Sequence, residues 1–231
     1  MQKLNYYIGQ LFSWLGYSII PSWKTPECNL NLLELSFALL ESKNILPLIV
    51  QIGSFDGLAN DHLSNIIAKK NYEAAYLVEP QPKAVYKLQQ QYDNKRNVHI
   101  IEAAICNTDG YTTMYSCGEL DQKASINISH FSRFGLNKSD LTKFMVEGVT
   151  AQTFCLKYNI NRIDILQIDT EGLDLDILKM FLNIIHPNII NFEKFHLSKQ
   201  QYTEARELLK SQGYNFIEYD YDILAVSENI L

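Results

Sequence analysis

The chain has 231 residues and carries 20 Lys+Arg against 26 Asp+Glu, so its net charge of −6 gives no general attraction to nucleic acid or an anionic membrane. Apolar residues make up 47% and aromatics 12%, enough for a sizeable core, which excludes wholesale disorder and predicts one large domain with an extension. No apolar run reaches the roughly 18 residues of a membrane span, and no basic stretch followed by a short apolar run marks a secretory signal. A cytoplasmic protein without a membrane span is therefore expected. The cysteines, Cys28, Cys106, Cys117 and Cys155, form no CxxC pair and are read as buried thiols of a reducing compartment.

Residues 1–45 read as a helical N-terminal extension. Leu4, Tyr7, Ile8, Leu11, Phe12 and Leu15 follow the i, i+3, i+4, i+7 rule of one apolar helical face. Pro21 and Pro26 end that pattern, and a second apolar helix is predicted over Asn29 to Glu41. The first helix has one early basic residue, Lys3, too few for an interfacial membrane helix. Core packing, a lid or a homodimer contact is the expected use.

From residue 46 the pattern becomes strand, turn, helix, repeated to residue 231. Leu48 to Ile52, Ala75 to Val78, Val98 to Ile105, Ile163 to Ile168 and Asn188 to Glu193 are apolar, β-branched runs. Helical faces intervene at Ala59–Ile67, Val85–Tyr92 and Leu173–Ile185. Ser198 and Gln201 form an S-x-x-Q capping box, and Gly213 stands where a helix stop belongs. Two closing runs, Asn215–Tyr219 and Asp222–Ser227, predict a hairpin. Strands alternating with helices imply an α/β, mostly parallel, doubly wound sheet, and the hairpin adds one antiparallel strand. Residues 107–150 break the alternation, and 116–148 read as a lid insertion over the substrate.

Ligands of such sheets sit outside the carboxyl ends of the strands, where strand order reverses. The first strand ends in Gln51-Ile52-Gly53-Ser54-Phe55-Asp56-Gly57, a glycine turn that is neither GxGxxG nor a P-loop. The second ends in Val78-Glu79-Pro80. Glu79 lies about two dozen residues beyond Gly53, near the roughly 20-residue spacing of a ribose-binding acid. Asp169 ends a later strand and faces the same crevice, with helix capping as its competing role. Glu193 ends the next strand, with His196 three residues on. Asp169, Glu193 and His196 are thus expected together as candidate bases.

In order along the chain, Val50-Gln51-Ile52-Gly53-Ser54-Phe55-Asp56-Gly57, Val78-Glu79-Pro80, Glu102-Ala103-Ala104-Ile105, Ile168-Asp169-Thr170-Glu171-Gly172 and Asn191-Phe192-Glu193 resemble the FkbM family of S-adenosylmethionine-dependent methyltransferases. The resemblance implies a seven-stranded Rossmann-like fold and O-methylation of sugar or polyketide hydroxyls. It also implies cofactor contacts from Gln51, Gly53, Ser54, Asp56, Gly57, Glu79, Pro80, Ala104 and Asp169. The broad methyltransferase pattern has an acid at Gln51 and a glycine at Phe55. Gln51 brings no charge to the cofactor's ammonium, and Asp56 is the candidate to supply it.

The acceptor is expected to be a small molecule or glycan rather than nucleic acid. Asp169 and Glu193 could hold a divalent cation through oxygen ligands, but a metal-free base is the preferred route. Two other functions compete: an NAD-dependent oxidoreductase on a similar sheet, and a non-catalytic binding domain that has lost the cofactor.

Overall fold

The computed structural model describes residues 32–58, 61 and 63–231. The helix predicted over residues 4–15 lies outside them. The described chain begins with helix α1 (Leu32–Ser42), then strand β1 (Leu48–Ile52), α2 (Ser64–Lys69), β2 (Ala74–Val78), α3 (Pro82–Gln91) and β3 (Val98–Ile101). Next come β4 (Ala104–Ile105), β5 (Gly110–Ser116), β6 (Thr142–Val149), α4 (Ala151–Lys157) and β7 (Ile165–Ile168). The chain closes with α5 (Asp174–Leu182), β8 (Ile189–Glu193), α6 (Lys199–Ser211), β9 (Tyr214–Tyr219) and β10 (Asp222–Ser227). No described helix is long and apolar enough to cross a membrane.

Seven strands form one sheet in the order β3-β2-β1-β7-β8-β10-β9. β10 runs antiparallel to both β8 and β9, and the other neighbouring strands of this sheet pair in parallel. The closing hairpin therefore supplies the one antiparallel strand, inserted between β8 and the edge strand β9. Strand order reverses between β1 and β7, which defines the switch point. Every residue of β1 and β7 is buried, Gln51 and Gln167 included, as in a sheet covered on both faces.

Side chains alternate across the sheet and make two cores. Val50, Ile52, Leu166, Ile168, Ile190 and Phe192 pack on one face with Phe154, Leu178 and Phe181. Ile49, Leu77, Ile165 and Ile189 pack on the other with Leu33, Phe37, Ile66 and Leu88. α1 presents Leu33, Phe37 and Leu40 to this second core from one helical stripe. Each fully buried side chain of this size contributes about 1.5–3 kcal/mol of burial energy. α3 starts with Pro82 in its first turn, where the missing N–H costs nothing. The predicted capping box of α6 is present: Gln201 N–H donates to Ser198 Oγ at 3.2 Å and Ser198 N–H to Gln201 Oε1 at 3.0 Å.

Three expectations change. The apolar run Val98 to Ile105 is two strands, not one: β3 ends the large sheet, and β4 joins a separate small sheet ordered β4-β6-β5. β2 ends at Val78, and Glu79 N–H already donates to Ile101 O at 3.0 Å, so beyond Ile101 the large sheet offers no partner and β6 takes over. Within 116–148, β6 occupies the last part, paired with β5 from Gly110↔Gly148 to Ser116↔Thr142. The segment between the two strands is 117–141. Third, Cys106 and Cys155 are buried as predicted, but Cys117 is exposed.

Candidate active site

Gly53 leaves β1 at φ +82, and its N–H donates to Val78 O at 2.9 Å. A Cβ at this position would lie 1.7 Å from the carbonyl oxygen of Asp169. Only glycine allows the ends of β1 and β7 to approach this closely at the switch point. Phe55 stands where the broad methyltransferase pattern has glycine, and it adopts the left-handed conformation at φ +44 all the same. That costs about 1–2 kcal/mol for a side chain with Cβ. The strain is held by Glu79, whose Oε2 accepts from Phe55 N–H at 2.9 Å. Its Oε1 accepts from Gln81 N–H at 2.9 Å. Each carboxylate oxygen keeps a second lone pair for a ligand. Burial raises the Glu79 pKa to about 7 against the lowering effect of these two amides.

Gln51 is buried, and its Nε2 donates to Asp61 Oδ1 at 3.0 Å. Its Oε1 is buried without a hydrogen-bond partner. The carboxylate brought to Gln51 is thus Asp61, which the sequence reading did not single out. Asp56 instead lies 3.3 Å from Lys87 Nζ of α3 and accepts from Leu58 N–H at 3.2 Å. Gly57 also faces α3: its φ is +70 and an added Cβ would stand 2.8 Å from Leu88 Cδ2. Ser54 is buried, with its hydroxyl donating to Gln51 O at 3.3 Å. Ala104 is buried in β4 opposite Gly148, and Pro80 is half-buried beside Glu79.

Gln51, Gln167 and Asn191 stand in lateral register on β1, β7 and β8. Asn191 Nδ2 donates to Gln167 Oε1 at 2.9 Å and to Asp222 Oδ2 at 2.8 Å, and Tyr219 OH donates to Asn191 Oδ1 at 2.8 Å. Sheet alternation places Asp169 and Glu193 beyond this polar row on the same face. Asp169 is exposed at the strand mouth. Desolvation by the surrounding protein and the charges of Asp174, Glu171, Asp222 and Asp61 raise its carboxyl well above the ordinary range. Desolvation, then Asp169 and its neighbouring carboxylates, pushes Glu193 up to about 9.

Asp169 does not cap α5. The N-cap position is Leu173, with no side-chain cap bond. Fully buried Asp174, the first residue of α5, instead braces the turn before the helix, accepting from Thr170 N–H and Gly172 N–H at 3.1 Å each. The turn so held puts Glu171 at φ +56. Its Oε2 lies 2.8 Å from His196 Nε2 and 3.3 Å from His130 Nε2, while Glu193 Oε2 lies 3.2 Å from His196 Nε2. The structure therefore brings Glu193 and His196 together as predicted and adds Glu171 and His130. Glu171 belongs to the motif Ile168-Asp169-Thr170-Glu171-Gly172, but nothing in its spacing separates it from a turn residue. His130 sits far away in sequence, in the 3-10 turn Ile128–Phe134, and carries no signal there. Burial lowers its pKa to about 4.

The 117–141 segment lies along these strand ends. Gln81 and Asp121 bond reciprocally at 3.0 Å, Ser125 Oγ donates to Glu171 O at 2.9 Å, and Asn127 Nδ2 donates to Gly172 O at 3.3 Å.

A seven-stranded sheet with this order, one inserted antiparallel strand and a glycine turn at the switch point is the Rossmann-like fold of methyltransferases. Over residues 51–216 the chain matches the family model described as the methyltransferase FkbM domain, and it belongs to that family. That family is one of methyltransferases rather than oxidoreductases. No curated protein matches it. Among solved structures it is similar to an FkbM methyltransferase from Methylobacillus flagellatus KT at 15% identity and TM-score 0.49, covering 78% of this chain and 43% of that one. It is also similar to an O-methyltransferase from Bacillus cereus in complex with SAH, at 11% identity and TM-score 0.51, covering 95% and 88%. An rRNA methylase from Streptococcus thermophilus has 10% identity and TM-score 0.50, covering 87% and 99%. The chain thus spans less than half of the first of these. The family implies S-adenosylmethionine as methyl donor. The residues fit it: the orphaned Gln51 Oε1 is an acceptor for an ammonium, and Glu79 keeps lone pairs for ribose hydroxyls.

Proposed function

We propose that the chain transfers a methyl group from S-adenosylmethionine to a hydroxyl oxygen of a small-molecule or glycan acceptor of the sugar or polyketide type. The observation that carries this reading is the set of proton-accepting side chains, Asp169, Glu193 and His196, at the mouth beside the Gly53 turn. The donor supplies a methyl activated on its sulfonium. Gln51, the Gly53 turn and Glu79 hold it, with Ser54, Asp56, Gly57, Pro80 and Ala104 shaping the surrounding turns. Asp169 orients the acceptor hydroxyl and takes its proton as the oxygen–methyl bond forms, a role for which a raised carboxyl pKa is suited. Glu193 and His196 support that face. In-line alignment of two bound reactants can supply roughly 7–11 kcal/mol of the barrier. Incubation with S-adenosylmethionine and surface-glycan or polyketide extracts, read by mass spectrometry, should show products heavier by one methyl. Intact cofactor binding with no methylated product from any extract would support the non-catalytic alternative instead.

Glu79 gives a pH test. Its pKa is raised to about 7 by burial, so the carboxylate that accepts two ribose hydroxyls is complete only above that value. Affinity for S-adenosylhomocysteine should be flat above pH 7 and fall below it, by at most about tenfold per pH unit for one linked proton. Glu79→Gln should weaken binding by about 1–3 kcal/mol and abolish the slope. Calorimetry from pH 5.5 to 8.5 giving the same curve for both proteins would assign Glu79 to the backbone amides alone.

The lid expected from the sequence narrows to 117–141. Residues 132–135 and 137–140 are exposed, whereas His130 and Phe131 are buried. Amide exchange should be fast over 132–140 and slow on addition of cofactor product and acceptor. Protection equal to the sheet's without ligand would remove the lid.

A further inference from the structure

We propose that His130, Glu171 and His196, with Glu193 beside them, form a binding site for one divalent first-row transition ion of the zinc type. One donor atom of each of the first three lies within 4.8 Å of the others. The separations, 2.8 and 3.3 Å around Glu171 Oε2 and 3.2 Å between Glu193 Oε2 and His196 Nε2, lie at or within about half an ångström below the roughly 3.3 Å between neighbouring donors around a tetrahedral ion with bonds near 2.0–2.1 Å. These close approaches are not hydrogen bonds: Glu171 Oε2, Glu193 Oε2 and both nitrogens of His130 have no hydrogen-bond partner, nor has His196 Nδ1. The His130 and His196 side chains are only 1% and 4% exposed, so water cannot satisfy them freely. Orphaned buried polar atoms are costly, and a cation shared by converging lone pairs removes that cost.

The donor chemistry selects the ion. Two imidazoles with carboxylates favour zinc-type ions, whereas Mg²⁺ and Ca²⁺ prefer all-oxygen sites. This replaces the oxygen-only pair Asp169 and Glu193 considered from sequence. The backbone is built for the purpose: Glu171 is held in the left-handed region, and such strain collects at functional sites. The ligands come from the 117–141 segment, the turn after β7 and the loop after β8, so an ion would pin that segment to the sheet mouth. The site shares Glu193 and His196 with the methyl-transfer reading, but the observations that support it do not rest on that reading.

The test uses the full chain, stripped with chelator and dialysed. Isothermal titration with Zn²⁺ should show one equivalent per chain, and Co²⁺ should give the visible bands of a low-coordinate site. His130→Ala and Glu171→Gln should each weaken Zn²⁺ binding at least tenfold, with S-adenosylhomocysteine binding reporting that each variant is folded. Cys117→Ser, which removes the exposed thiol, should leave the titration unchanged. Zn²⁺ should also slow amide exchange over residues 128–134 in the unmutated chain. No binding to that chain, or equal binding to both ligand variants, overturns the site. That result with S-adenosylhomocysteine bound normally leaves the methyltransferase reading standing, and loss of cofactor-product binding alone overturns the latter.

Discussion

Asp169→Asn should lower turnover by about 10²-fold or more, the scale of a lost general base, with little change in affinity for S-adenosylhomocysteine. The carboxyl is held well above its ordinary pKa by desolvation and by Asp174, Glu171, Asp222 and Asp61. The sign for stability follows. A carboxyl whose folded pKa is raised is penalised when it ionises, so stability falls as pH rises from the unfolded value through the folded one. Asparagine never ionises and keeps the shape, so at pH 7 the variant should melt no lower than the parent protein. It loses no helix cap either, since α5 has no side-chain cap bond and Asp174, not Asp169, holds the Thr170 and Gly172 amides of the preceding turn. Equal or higher melting temperature with lost turnover is the signature of a residue kept for chemistry at the expense of stability. Calorimetry and a methyl-transfer assay on the same preparation check it. Near-normal turnover would move the base to Glu193 or His196, and a fall of several degrees would make Asp169 structural.

Gly53→Ala should destabilise the protein by about 4 kcal/mol or more, at the exceptional end for single substitutions. The added Cβ would meet a backbone oxygen at 1.7 Å, at φ +82. That oxygen cannot move away, because Asp169 N–H donates to Ile52 O at 2.9 Å and Ile52 pairs with Ile168 in the sheet centre. Gly57→Ala is the control. It has a similar φ of +70, but its Cβ would meet only side-chain atoms, Leu88 Cδ2 at 2.8 Å, Tyr92 Cε2 at 3.2 Å and Gln91 Oε1 at 3.3 Å, and no backbone. Its cost should be smaller, the left-handed penalty of about 1–2 kcal/mol plus a modest repacking of those side chains. Denaturant midpoints for the two variants check the difference. Equal losses would mean that close approach of β1 and β7 is not what makes Gly53 obligatory.

The sequence by itself determined the sheet and which candidate residues stand at its strand ends. Leu48 to Ile52 and Ile165 to Ile168 are apolar runs interrupted only by Gln51 and Gln167, as strands buried on both faces are near-continuously apolar, and that pattern is local. Gly53, Glu79, Asp169 and Glu193 were legible because a residue at the end of an identified parallel strand has a known place relative to the crevice. The capping box of Ser198 and Gln201 was legible because its two bonds span three residues. Tertiary structure alone decided what depends on partners distant in the chain. Val98 to Ile105 is one apolar run, and only the end of β2 and the arrival of β6 divide it. Asp61 rather than Asp56 meets Gln51, because the turn sends Asp56 toward Lys87 on α3. His130 reaches His196 and Glu171 only after β5 and β6 pair and Ser125 and Asn127 bond to the turn beyond β7. Strand periodicity is written in neighbouring residues, whereas a side-chain cluster assembled from three loops is set by packing that no local pattern encodes.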